Sequence, residues 1–398
     1  MKYPIGIQTF EQIIDNGFVY VDKTDLVYKL ATEGKIYFLS RPRRFGKSLL
    51  LSTLKCYFEG RKELFKGLKI DALETEWKQH PIFHIDFNGY NFLGVDNLME
   101  VLDGYVSDWE TLWGRAPHRN TLGDRFAYVL HQAHVKTGQL AVVLIDEYDK
   151  PLLDVLDTGL KIKSGENDVL IEDYNRNVLK AFYSVFKLAD ADLRFVMLTG
   201  VTKFSQVGFS QADDISMSAE YESLCGFTVK ELTDVFALSI HEMAMTLGYS
   251  PKKMLKLLKT HYDGYHFGPR LTDIYNPFCI LNALSQKKLG VYRLLNNTSS
   301  NCIRLLENIH GDRTEMLHKY YVPSQFIDHY RDIEKTLPLI YQNGYLTIKG
   351  IKRIGMRIIY QLGYPNAEVA EEFHSLLASR VFSSKTGTVS DFKVVGCQ

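Results

Sequence analysis

The chain has 398 residues, 45% of them hydrophobic and 24% charged. That length fits two or three domains, and the composition excludes a disordered, collagen-like or membrane-embedded chain. Lys+Arg and Asp+Glu both number 47, so no global field draws the protein to nucleic acid or an anionic membrane, and any such contact must be a local patch.

In chain order, Phe18–Val21 is expected as a short entry strand, with a helix from about Asp22. Ile36–Leu39 reads as a buried parallel strand. The helix after it spans Ser48–Phe58, with Leu50, Leu51, Leu54, Tyr57 and Phe58 at helical spacing. Further strands are predicted at Pro81–Phe87, Ala141–Ile145, Leu193–Leu198 and within Ile215–Cys225. Helical patterns lie between most of them, notably at Arg125–Val135 and Val178–Leu188. Strands alternating with helices predict a parallel sheet covered on both faces.

After Gly226 the pattern turns helical. Thr228 and Glu231 have the spacing of a capping box, and Leu232, Val235, Phe236, Ile240, Met243 and Leu247 recur at threes and fours. Ser250-Pro251 opens another helix that ends near Gly264. A small mixed unit is expected over 291–363, with a hairpin around Gln342–Arg357, then a helix candidate, Glu368–Phe382, and a polar tail. The expected division is an α/β core over 1–225, a helical part over 226–290, the mixed unit over 291–363 and a truncated tail over 364–398.

The five cysteines, Cys56, Cys225, Cys279, Cys302 and Cys397, show no CxxC spacing and read as buried thiols of a reducing compartment. The N-terminus lacks the apolar core of a signal peptide. No apolar run reaches the ~18 residues of a membrane span, so the cytoplasm is the expected location.

The sharpest motif is Ser40-Arg41-Pro42-Arg43-Arg44-Phe45-Gly46-Lys47-Ser48. Nucleotide phosphates need clustered backbone N–H groups, a helix N-terminus, a lysine and a hydroxyl for magnesium. The Walker A pattern supplies these, with Arg41 here in place of its first glycine. The bland alternative is a basic turn before a helix. Arg41, Arg43 and Arg44 either contact the nucleotide or pair with carboxylates on the rim.

Ala141–Ile145 is a hydrophobic strand ending in Asp146 and Glu147. Such a strand delivers Asp146 to a magnesium ion beside Lys47 and Glu147 to an attacking water; otherwise the two acids form a solvated turn. Thr199, closing the Leu193–Leu198 strand, is either a γ-phosphate sensor or an ordinary strand-end hydroxyl. Lys203 and Ser205 are weaker candidates. His261, Asp263 and His266 have metal-ligand chemistry, but they also suit a packed aromatic turn.

The chain resembles the predicted AAA-ATPase-like family, many members of which carry a C-terminal nuclease-like domain of the PD-(D/E)xK class. The matching stretches are YVDKT (Tyr20 to Thr24), RPRRFGKS (Arg41 to Ser48), LIDEYDKPL (Leu144 to Leu152) and LTGVTKFS (Leu198 to Ser205). They continue with LCGFT (Leu224 to Thr228), YDGYHF (Tyr262 to Phe267), YNPF (Tyr275 to Phe278), NGYLTI (Asn343 to Ile348) and YPNAEV (Tyr364 to Val369). The resemblance implies a P-loop NTPase of the additional-strand (AAA-like) class, with a parallel sheet, a helical lid and a winged-helix-like unit. It also implies that Arg41 at the first glycine position is usual for the family, and that Tyr20–Thr24 lies near the site; that run is equally a strand leading into a helix cap. Val291–Asn301 departs from the family's Trp-containing stretch.

The expected site therefore places Arg43, Arg44, Phe45, Gly46, Lys47, Ser48 and Leu49 around ATP, Ser48 and Asp146 on Mg2+, and Glu147, Lys47 and Thr199 in catalysis. The expected function is ATP binding with hydrolysis. A slowly turning nucleotide-gated switch and a non-functional remnant are the alternatives. A homo-oligomer and a protein or nucleic-acid partner stay open; no membrane contact is expected. The residues after Gly363 are too few for a PD-(D/E)xK core, so Asp391-Phe392-Lys393 reads as solvated tail and no nuclease activity is expected.

Overall fold

A computed structural model describes residues 1–93, 97–165, 167–204, 207, 211–293, 317, 319–327 and 336–383. The first part runs α1 (Phe10–Asp15), α2 (Thr24–Glu33), β1 (Ile36–Ser40), α3 (Lys47–Phe58), β2 (Ile82–Asp86), α4 (Leu98–Trp113), α5 (Leu122–Thr137) and β3 (Ala141–Asp146). It continues with α6 (Lys150–Leu153), the hairpin β4 (Lys161–Ser164) and β5 (Asn167–Leu170), α7 (Ile171–Tyr183), α8 (Val185–Leu188), β6 (Leu193–Gly200) and β7 (Asp213–Asp214). Five of these strands form one parallel sheet in the order β2-β3-β6-β1-β7. β6 lies between β1 and β3, which makes this an α/β P-loop fold of the additional-strand class.

The sheet is central because its strands are apolar on both faces: every residue of β3 is buried, as are the middle three of β1. Tyr37, Leu39, Val142, Leu144, Phe195 and Met197 face α3 in one cluster. Their neighbours Phe38, Val143, Ile145, Val196 and Leu198 face α4, α5 and α7 in another. Alternation of side chains along each strand produces this division.

The second part begins with β8 (Phe227–Thr228), followed by α9 (Val229–Thr246), α10 (Pro251–Tyr262), β9 (Ile274–Tyr275) and α11 (Pro277–Gln286). The capping box forms: the Thr228 hydroxyl accepts from Glu231 N, and the Glu231 carboxylate accepts from Thr228 N. The α9–α11 cluster also takes in Val21, with Tyr3, Ile5 and Val19 packed against it. The N-terminal segment is thus built onto the helical part as well as onto the core. β10 (Tyr320–Tyr321) pairs with β12 (Arg357–Gly363), which forms a hairpin with β11 (Thr347–Ile354). The helix Ala367–Ser383 is docked, not part of a tail: Glu368 Oε1 accepts from Tyr292 N and Arg293 N, and Glu372 Oε1 accepts from the Tyr345 hydroxyl.

Several expectations shift. Phe18–Val21 is not a strand. The fifth sheet strand is Asp213–Asp214, just before the expected window, which folds instead as a 3-10 turn and bends. The hairpin begins at Thr347 because Thr336–Gln342 is helical. Ser205, Cys302, Cys397, Asp391-Phe392-Lys393 and most of the Val291–Asn301 stretch lie outside the described residues.

Candidate functional site

The loop between β1 and α3 is shaped by two left-handed residues, Arg44 (φ 69) and Gly46 (φ 96). Gly46 is the N-cap of α3, a conformation that costs glycine least. Backbone N–H groups of residues 43–49 have no acceptor among the described residues; clustered orphan donors at a helix start make an anion site. Lys47 is buried, and its Nζ donates to the Arg41 carbonyl at 3.1 Å and lies 3.8 Å from Glu147 Oε1.

The arginines divide. Arg41 is buried and donates to the carbonyls of Ser40, Ser216 and Tyr221 while stacking on Phe267, 4.3 Å from the ring centre. Among the described residues it pairs with backbone oxygens and not with the rim carboxylates considered for its side chain. Arg43 and Arg44 are exposed, and Arg44 lies over the Phe278 ring at 4.9 Å. The Phe45 side chain leaves the loop for a cluster with Tyr265 and Phe267.

At the carboxyl end of β3, Asp146 Oδ1 accepts from the Thr199 hydroxyl at 2.7 Å and from Glu147 N at 3.0 Å. Both Asp146 and Thr199 are buried. Glu147 itself is left-handed (φ 50), a strained state for a non-glycine residue and one that clusters at functional positions. Asp86, beside Asp146 in the strand register, is a further carboxyl at this edge. Burial first, and then the Asp146 charge, push its pKa up.

A cavity of about 480 Å³ opens on this loop. Gly46, Lys47, Ser48 and Glu147 line one part of it; Ile5, Ile7, Val19, Leu49 and Phe278 supply apolar walls from the N-terminal segment, α3 and α11. Tyr20 and Lys23 of the YVDKT run also line it. The Lys23 ammonium donates to both oxygens of Glu231 at 2.7 Å, tying the cavity wall to the first turn of α9. Burial lowers the Lys23 pKa and the Glu231 partner opposes that shift.

Sequence reasoning missed Tyr148 and Asp149. Asp149 is fully buried, and its Oδ2 accepts from Val201 N at 3.0 Å and Thr202 N at 2.6 Å. The Tyr148 hydroxyl donates to the Thr202 carbonyl and accepts from Phe204 N. The turn after β3 is thereby laced to the turn after β6. Gly200 permits the approach, since a Cβ there would sit 2.5 Å from Asp149 Oδ1. Burial, and then the Glu147 charge, raise the Asp149 pKa from 3.8 to about 7. A carboxyl raised on folding adds stability that is full at low pH and is lost as the pH climbs through that folded value. Asp149→Asn keeps an acceptor for both N–H groups but cannot ionise. Its unfolding midpoint is expected to vary less than the wild type's between about pH 5 and pH 8. Equal slopes in pH-dependent thermal melts would show that Asp149 stays charged throughout.

Of the other metal-type residues, His261 Nδ1 contacts the Leu257 carbonyl at 2.8 Å. His266 Nδ1 contacts the Ile348 carbonyl at 2.6 Å, and its Nε2 contacts Asp273 Oδ1 at 2.9 Å. Among the described residues no group of His, Cys, Asp and Glu has metal-site geometry, and no helix is long and apolar enough to cross a membrane.

Comparison with known proteins adds three findings. The family model described as Predicted AAA-ATPase matches residues 4–210. A protein of Azotobacter chroococcum mcd 1, described as an uncharacterized protein in vnfD 5'region, is 35% identical over 393 residues, which cover 95% of this chain and 70% of that protein. The solved structure of the Aeropyrum pernix ORC1 protein in complex with DNA aligns at 10% identity with a TM-score of 0.28, covering 91% of this chain and 94% of that one. A likeness that loose has no bearing on function.

Proposed function

Because the chain belongs to the predicted AAA-ATPase family, we propose that it binds Mg-ATP at the β1–α3 loop and hydrolyses it. The observation that carries this reading is the meeting of Lys47 with the acidic end of β3, 3.8 Å from Glu147, at a cavity beside unpaired N–H groups. In this reading the N–H groups of residues 43–49 hold the phosphates and Lys47 neutralises β/γ charge. Ser48 and the Oδ2 of Asp146 are the oxygens for Mg2+, since both protein bonds to Asp146 fall on Oδ1. Bound Mg2+ would offset the phosphate charge as a Lewis acid. Glu147 orients and polarises the attacking water. Thr199 acts by holding Asp146, and Leu49 lines the cavity beside the bound nucleotide.

A thermal-shift titration tests binding. A ligand held only by the native state stabilises it by about 2.7 kcal/mol at 100 times its Kd, so millimolar Mg-ATP is expected to raise the unfolding midpoint by a few degrees. An unchanged midpoint would overturn the assignment.

One observation favours a second reading, a nucleotide-gated switch with slow turnover. The cavity wall is shared with the helical part through Lys23–Glu231, Phe227 and Phe278, so an occupied site would bias how that part sits on the core.

A further inference from the structure

We propose that the tip of the β11–β12 hairpin docks into the acidic groove beside α4, α5 and α7 of a second copy of this chain. Between Thr347 and Gly363 the hairpin contains Lys349, Lys352, Arg353 and Arg357 and no carboxylate. Lys349 is used internally, donating to the Gly264 and Pro365 carbonyls. The run 352–358 is exposed throughout. Met356, in the turn beside left-handed Gly355, is 99% exposed, and Ile354 and Ile358 flank it. Ile354 pairs with Arg357 and Arg353 with Ile358, so each rung next to the turn couples an isoleucine to a cation. Among the described residues neither arginine has an ion-pair partner, while Lys352 lies over the Tyr320 ring at 4.3 Å.

The groove is the counterpart. It encloses about 1360 Å³, and its charged lining is Glu100, Asp103, Asp124, Asp168 and Asp173 against Arg125. That arginine is buried and already paired with Asp103 and Glu110. Met99, Leu170 and Leu188 are exposed apolar side chains along it. An apolar tip ringed by cations and an apolar groove ringed by carboxylates complement each other in both respects, in a chain whose total charge is zero.

The two surfaces belong to opposite faces of the sheet. The hairpin base, Tyr360 and Leu362, packs in the cluster on the α3 face, while Phe182 of the groove packs in the cluster on the other face. The contact therefore joins two copies head to tail, a heterologous interface that closes into a ring or extends. Nucleic acid would use the cations and leave the groove empty. A bilayer would draw Arg353 and Arg357 into hydrocarbon together with Met356, which is costly. A second copy uses both surfaces.

Sedimentation velocity of the full chain at low salt is the test. An interface this small is expected to associate in a concentration-dependent way, with a Kd on the order of micromolar. Arg353→Glu with Arg357→Glu, or Glu100→Lys with Asp168→Lys, should each weaken association by about tenfold or more, and all four changes in one chain should restore it. These side chains are exposed, and circular dichroism checks that each variant is folded. The proposal is overturned if the wild type stays monomeric at ~100 μM, or if the four-fold variant is folded but associates no better than either pair. It is also overturned if Arg353→Glu with Arg357→Glu abolishes binding to duplex DNA while self-association is unchanged, which would assign the hairpin to nucleic acid.

Discussion

Lys47→Ala is expected to weaken Mg-ATP binding by at least about 100-fold in equilibrium dialysis. A hydrogen bond to a charged group is worth about 1.5–3 kcal/mol; two such bonds to phosphate oxygens give ~3–6 kcal/mol, or roughly 10²–10⁴ in affinity. The ammonium is buried and already inside the loop, held by the Arg41 carbonyl at 3.1 Å and the Pro42 carbonyl at 3.5 Å. Those partners are the loop's own backbone, so exchanging them for phosphate needs a short displacement of one side chain and no refolding. The same change removes the cation beside Glu147, so melts of the ligand-free variant are measured alongside to separate lost affinity from lost folding. Affinity within about threefold of wild type, in a folded variant, would remove the triphosphate from this loop.

The parts of the site that were legible in the sequence are those whose signal is local. β1, β3 and β6 are apolar runs with clear ends, and their alternation with helices predicts a parallel sheet; the additional-strand order is what the family resemblance implies, and the structure shows β6 between β1 and β3. Thr228 and Glu231 carry their own helix start, because a capping box involves only residues three apart. What was not legible depends on partners distant in sequence. Arg41 stands inside a phosphate-binding pattern, yet its guanidinium is claimed by the carbonyls of Ser216 and Tyr221. Asp149 reads as one more acid in an acidic turn, and only the fold brings Val201 N and Thr202 N onto it. β7 has two residues and pairs as an edge, too short for any period to show. The six-residue α1 is equally brief; it is held by packing, with Phe10 and Ile13 buried, more than by intrinsic propensity.

The lacing of the turns after β3 and β6 bears on what nucleotide state could do to the rest of the molecule. Asp146 is bonded to Thr199, Asp149 to Val201 and Thr202, and Tyr148 to Thr202 and Phe204. Lys203 then bonds through its backbone N–H to Gln342 Oε1 at 3.3 Å, and its ammonium pairs with Asp214 at 2.9 Å. A change at the acidic end of β3 thus has a contiguous set of hydrogen bonds to the helix that precedes the β11–β12 hairpin. That continuity is structural; coupling would have to be measured as a difference in association with and without nucleotide.

Glu147→Gln is expected to keep Mg-ATP affinity near the wild-type value and to lower steady-state hydrolysis by about 10²–10⁴, the range for a positioned general base. The substitution preserves side-chain length and an oxygen that accepts a hydrogen bond, but glutamine cannot take a proton from water at neutral pH. Loss of the negative charge also relieves the attraction that holds Lys47 at 3.8 Å, so binding should not suffer. The strained backbone at Glu147, φ 50, fixes where the side chain starts and is shared by both residues. A phosphate-release assay and a binding isotherm on the same preparation separate the two effects. Retained hydrolysis with retained binding would assign the base to another group, and Asp86 and Asp149 are the carboxylates next to be replaced. Lost binding would mean that the Glu147 carboxylate is part of the cation site rather than the base.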